Sequence, residues 1–223
     1  MAVSYRRLAA GALAACVALA VLHTWPLATG PGVLSRHDNA DTMLNEWIVA
    51  WVAHQAPRDP AGLFDANIFH PERRTLAFSE HLLVPATLAA PVLWAGASPV
   101  LAYNLLVMAG LALSAWAMWW VVGRWTGSQA AGAVSASIYA FNAHTLTRLP
   151  HVQALHLEFL PLAWFAFDRL LEGRKWRHAW ALALAAAAQA LCSNYLLVFT
   201  AVALAVSALV RPGDWLRPWR GAT

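Results

Sequence analysis

The chain has 223 residues, 60% of them hydrophobic and only 12% charged, and its mean hydropathy is +0.51. Soluble domains carry about a quarter charged residues, so a water-facing globule is excluded as the home of this much apolar surface, and lipid is the natural solvent for it. The formal charge of +4 does not point to nucleic acid, because the basic residues sit in short clusters between apolar runs. Cys16 and Cys192 both lie in apolar segments and make neither a disulfide framework nor a metal motif.

In chain order, Arg6 and Arg7 precede an apolar run from Leu8 to Leu27. A cleaved signal peptide is one reading of it, and Leu13-Ala14-Ala15-Cys16 matches a lipobox. The run continues apolar past Cys16, however, and about 20 such residues span a bilayer whereas signal cores are shorter. A first transmembrane helix over 8–27 is therefore predicted.

Residues 28–81 are polar and irregular, with Asp38, Asp41, Glu46, Asp59, Asp65, Glu72 and Glu80 against Arg36, Arg58, Arg73 and Arg74. Within this loop the spacing of Met43, Leu44, Trp47, Ile48, Trp51 and Val52 predicts an amphipathic surface helix over 40–55. Asp38 suits its N-cap, and Asp41 three residues later resembles a capping box. The sharper reading makes one of these acids a general base or a metal ligand at the membrane surface. The loop acids leave room for a divalent cation, and no other cofactor is indicated.

The chain is then apolar almost to its end. Residues 82–96 are short for a crossing and carry Pro85 and Pro91, so a re-entrant or interfacial segment is predicted there. Helices are predicted near 100–123, 128–141 and 151–171. The apolar stretch 179–210 would make a helix of about 48 Å, against a hydrocarbon core of about 30 Å. It is therefore predicted to turn at Cys192-Ser193-Asn194-Tyr195, giving helices 178–192 and 194–210.

Arg6/Arg7, Arg124, Arg174/Lys175/Arg177 and Arg211/Arg217/Arg220 flank these spans. The positive-inside rule places all of them in the cytoplasm. Six crossings with both termini inside satisfy it, with the acidic loop, 142–153 and 193–195 outside. The expected fold class is thus all-α: a polytopic helical membrane protein of about six transmembrane helices plus the surface helix of the outer loop, forming one module over 1–223.

The outer face gathers polar residues that topology does not require. Glu80 and His81 enter the bilayer next to the prolines, which is costly unless they face a polar cavity. On a helix over 151–171, His151, Leu155 and Glu158 share one side. A carboxylate as deep as Glu158 needs a partner, for which His156 and Arg148 are the candidates, or a wet cavity. Arg148 breaks the positive-inside pattern, and its planar fork of donors suits a phosphate. A carboxylate to activate a hydroxyl, cations to stabilise a leaving phosphate and an apolar groove suit a lipid-linked phosphate substrate. An intramembrane relay of Glu158, His156 and Arg148 would instead suit a transporter or a non-catalytic lipid-binding subunit. There is no P-loop or Gly-rich nucleotide-binding turn.

The order of these features resembles the N-terminal half of bacterial GT-C membrane glycosyltransferases, which use polyprenyl-phosphate sugars. The resemblance is carried by the acids ahead of Trp47 and Trp51, by Ser79-Glu80-His81, by Ala102-Tyr103-Asn104-Leu105, by Pro150-His151 before Phe159-Leu160-Pro161-Leu162, and by Ser193-Asn194-Tyr195. It implies a catalytic acid at Asp38 or Asp41. It further implies a donor-phosphate and substrate site drawn from Arg148, His151, Glu80, His81, Glu158, His156 and Tyr195, on the outer face of a bacterial inner membrane. Members of that family are longer, with more helices and often a soluble C-terminal domain. The resemblance therefore implies a fragment or a reduced protein, or a partner chain that completes the site.

Overall fold

The structure is a computed structural model and describes residues 2–35 and 39–215. Among these residues it is all-α, without strands. In chain order the helices are α1 (Ala2–His23), α2 (Ala40–Gln55), α3 (Leu83–Trp94), α4 (Pro99–Thr126), α5 (Gln129–Ala140), α6 (Ala143–Thr147), α7 (Phe159–Gly173), α8 (Trp176–Cys192), α9 (Asn194–Leu209) and α10 (Pro212–Trp215). Two of them, α4 and the Tyr5–His23 part of α1, are long and apolar enough to cross a membrane. α3 and α9 are apolar but shorter.

α4 organises the fold. Ser98 caps its start by accepting from Leu101 N at 3.2 Å, and Pro99 suits the first turn because no N–H is needed there. It ends at Gly127, whose φ of 69° is the left-handed geometry of a C-cap. Between these ends it packs against α1, α2, α3, α5 and α7. Small residues set the approach distances. A Cβ on Gly132 of α5 would lie 2.7 Å from the Trp119 carbonyl oxygen, so glycine lets the α4 and α5 backbones meet. A Cβ on Gly110 would lie 3.1 Å from both Leu155 and His156, so glycine there makes room for the segment leading into α7.

α1 lies along α4, with Trp116 Nε1 donating to the Ala9 carbonyl at 3.0 Å. The Arg124 guanidinium sits over the Tyr5 ring at 4.6 Å. α7 and α8 form an antiparallel pair, extended by α9. At the end of the bundle where the basic clusters gather, Arg211 bridges Asp168 at 2.6 Å and Asp214 at 2.7 Å, and these two carboxylates hold its guanidinium pKa above the ordinary value.

Several boundaries follow the sequence reading. α2 spans 40–55 as expected, and the chain breaks at Ser193, where an extended φ/ψ of −162°/137° separates α8 from α9. Other expectations change. Residues 151–158 are not helical: a short 3-10 turn occupies Val152–Ala154, and α7 starts at Phe159. Pro161 then falls in the first turn of α7, where its missing N–H is tolerated. His151 and Glu158 consequently do not share a helix face. α1 ends at His23, ahead of Pro26. α2 is capped by Asn39, whose Oδ1 accepts from Thr42 N at 2.9 Å. Asp38, expected as the cap, lies outside the described residues. The buried face of α2 is rotated from the expected one: Ile48 and Val52 are buried as expected and Leu44, Trp47 and Trp51 pack partly buried against the core, but Thr42, Asn45, Val49 and Ala53 are buried as well, while Met43 is exposed. α2 therefore packs on α3 and α4 through a face that includes two polar residues.

Candidate functional site

The end of the bundle that carries α2 and the long loop brings together three stretches of sequence. Asp41 stands in the first turn of α2, where the helix dipole favours a negative charge. His151 follows Pro150 in the connection from α6 to α7. Its Nε2 lies 3.8 Å from Asp41 Oδ2, with the histidine side chain 30% and the aspartate 58% exposed. Arg148 caps the end of α6 and accepts a backbone bond from His151 N at 2.8 Å. Its side chain is exposed. A carboxylate and an imidazole thus meet at one solvent-accessible spot, and Arg148 stands in the same turn as the histidine.

The spot is held from below. The Pro150 carbonyl accepts from the Tyr103 hydroxyl of α4 at 2.6 Å and from Asn45 Nδ2 of α2 at 3.1 Å. Tyr103 and Asn45 are both buried, so this carbonyl fastens the Arg148–His151 turn to two helices at once. The next residue of α4, Asn104, donates through Nδ2 to the carbonyls of Pro31 and Leu34, both at 2.7 Å. That clamps the backbone just ahead of residues 36–38. The sequence reading quoted Tyr103 and Asn104 but gave them no role, and it missed Asn45. The available signal was an amide and a phenol inside otherwise apolar helical faces.

A groove of about 450 Å³ begins one turn beyond Asp41. Leu44, Trp47 and Ile48 of α2 form one wall, and Phe69, Leu76 and Phe78 of the loop form the other. Trp47 stacks on Trp51 at 6.0 Å, and Trp51 Nε1 donates to the Leu63 carbonyl at 2.9 Å. The aromatic stripe of α2 therefore shapes a cleft beneath the loop.

The remaining predicted residues fall elsewhere. Glu80 is 6% exposed. Its two oxygens accept from Ser193 Oγ at 3.0 Å and Asn194 N at 2.9 Å. It caps α9 from across the fold and has no free oxygen for a substrate. His81 is half-buried, with Nδ1 3.4 Å from Leu83 N. Desolvation pushes its pKa below the ordinary histidine value, and the neighbouring Glu80 charge partly offsets this. Tyr195, in the first turn of α9, is exposed.

Glu158 has a partner, and it is His156: Nδ1 and Oε1 are 2.9 Å apart, with both side chains buried. Arg148 does not join them. Ser114 of α4 completes the pair, with its Oγ 3.3 Å from Glu158 Oε2. Gln189 Nε2 donates to the His156 carbonyl at 2.9 Å. His156 Nε2 and Gln189 Oε1 are buried without a hydrogen-bond partner among the described residues. This cluster joins α4, α8 and the start of α7 inside the bundle, away from solvent.

Among the described residues, no group of three or more His, Cys, Asp or Glu side chains is placed to hold a metal ion. Compared with protein-family models, with curated proteins and with solved structures, the chain matches none.

Proposed function

We propose that the chain is a membrane glycosyltransferase of GT-C type, or the N-terminal module of one. It would transfer a sugar from a polyprenyl-phosphate donor to an acceptor at the extracytoplasmic face of a bacterial cytoplasmic membrane. The observation that carries this reading is the Asp41–His151 pair beside Arg148, over an apolar cleft in the same part of the fold. The six-crossing topology with cytoplasmic termini is part of the proposal. It is supported by the basic clusters at one end of the bundle and the acidic loop at the other.

In this reading Asp41 takes the proton of the acceptor hydroxyl as that oxygen bonds to the anomeric carbon of the donor sugar. The bond from that carbon to the phosphate oxygen breaks, and its electron pair leaves with the polyprenyl phosphate. Arg148 and His151 stabilise the charge that grows there, Arg148 through a fork of donors matched to phosphate oxygens. The polyprenyl chain runs toward lipid along apolar surface.

The test is sugar transfer from a radiolabelled polyprenyl-phosphate donor in membranes that hold the full chain and any partner it needs. Asp41→Asn should lower kcat by roughly 10²–10⁴-fold, and Arg148→Ala should mainly raise KM for the donor. Wild-type rates in both variants would overturn the proposal.

A non-catalytic transporter or lipid-binding subunit is the second reading. The buried His156–Glu158 pair, with His156 Nε2 lacking a partner among the described residues, favours it. It predicts the reverse pattern: tolerance of Asp41→Asn and loss of function in Glu158→Gln.

A further inference from the structure

A second groove, of about 680 Å³, runs between α7 and α8 with Trp120 of α4 at its side, from the start of α7 toward the end of the bundle opposite Asp41. Its α7 wall extends from Phe159 through Leu162 and Phe165 to Arg169. That stretch is about 15 Å at 1.5 Å per helical residue, half of a hydrocarbon core of about 30 Å. The α8 wall is opened by alanines, among them Ala181 and Ala188, so the space is wide enough for a chain to lie in it. Arg169, Arg177 and His178 line it where α7 turns into α8.

Cations outnumber acids where α7 turns into α8. Arg169 shares its charge with Glu172 at 2.6 Å. Arg174 and Lys175 precede α8 and Arg177 lies in its first turn, without a further acid among them; Arg174 Nη2 donates to the Asp214 carbonyl at 3.0 Å. Arg177 Nε donates to His178 Nε2 at 3.1 Å, and its two Nη groups have no hydrogen-bond partner among the described residues. An apolar trough one leaflet deep, closed by cations at its water end, is complementary to a lipid with acyl chains and an anionic headgroup. Each such cation near a membrane surface favours an anionic lipid.

We propose that this groove is a binding site for an anionic glycerophospholipid of the cytoplasmic leaflet, with its phosphate on Arg177 and one acyl chain along Leu162, Phe165 and Ala181. The site rests on the membrane topology of the proposed function, but not on the donor site, which lies at the other end of the fold.

Native mass spectrometry of the full chain in mild detergent, loaded with phosphatidylglycerol or with phosphatidylcholine of the same acyl chains, tests it. Wild type should retain phosphatidylglycerol selectively. Arg177→Ala should lower that retention roughly fivefold. The groove-filling pair Ala181→Leu/Ala188→Leu uses a good helix former and should abolish retention of both lipids at this site. Arg148→Ala should leave phosphatidylglycerol unchanged while losing polyprenyl phosphate, so failure of the donor site and failure of the lipid site are read separately. Equal retention of the two lipids, undiminished retention in both groove variants, or a dimer in place of lipid adducts would overturn the proposal.

Discussion

Glu80, at the end of the long loop, and Ser193, at the break between α8 and α9, are joined by a hydrogen bond of 3.0 Å, and the second Glu80 oxygen takes the Asn194 N–H at 2.9 Å. Ser193 makes no cap bond of its own, so the first turn of α9 is satisfied by a carboxylate from far away in sequence. Removing it leaves buried donors without an acceptor. Glu80→Ala should lower stability by about 1.5–3 kcal/mol, seen as a lower unfolding midpoint in detergent. Glu80→Gln, which keeps one acceptor, should lose less. Equal midpoints in wild type and Glu80→Ala would reject the capping role.

The His156–Glu158 pair is buried on both sides, and breaking such a pair strands the remaining group. Glu158→Ala should destabilise by about 3–5 kcal/mol. The double change His156→Leu/Glu158→Leu, which removes both polar groups, should be less damaging than Glu158→Ala alone. Additive losses would show that the two side chains are not coupled.

Tyr103 and Asn45 share the Pro150 carbonyl. Either one alone keeps that oxygen satisfied, so Tyr103→Phe and Asn45→Ala should each cost about 0.5–1.5 kcal/mol. Together they should cost more than the sum, because a buried carbonyl is then left bare. A double-mutant cycle on unfolding midpoints measures the difference. Since the same carbonyl fastens the Arg148–His151 turn, the proposed function predicts that the double variant also raises the KM for a polyprenyl-phosphate donor more than it lowers kcat.

His81 gives the fold a pH dependence. Burial depresses its pKa below 6.5, so in this range the folded state binds fewer protons than the unfolded state and stability rises with pH. The contribution of His81 is present above about pH 6.5 and is lost as pH falls through its lowered folded value. The unfolding midpoint of wild type should therefore drop on acidification more than that of His81→Gln. Parallel pH profiles would show that His81 takes no part.

Periodicity and length alone made much of this fold legible. The 40–55 helix, the long helix at 99–126, the short proline-bearing helix after residue 82 and the break at Ser193 all appear where apolar spacing, proline and polar interruptions put them. Local pattern could not decide the face that α2 buries. Its Trp stripe reads as the apolar side, yet Thr42 and Asn45 turn inward because the Pro150 carbonyl offers Asn45 a buried partner. Nor could it place the start of α7. An uninterrupted apolar run suggests helix from 151, whereas the 3-10 turn at 152–154, the Ser114 bonds to the Leu155 carbonyl and Leu157 N–H, and the space at Gly110 hold 151–158 outside it.

By itself the sequence determined that the chain is helical and rich in apolar surface, and it marked Asp41, Arg148 and His151 as charges needing an explanation. Tertiary structure decided which polar groups meet. Asp41 faces His151, Glu158 takes His156 rather than Arg148, and Glu80 is occupied by α9. The physical reason is that a side chain's periodicity is fixed by its own helix, while the partner of a buried charge is set by whichever distant segment packing brings within about 3 Å.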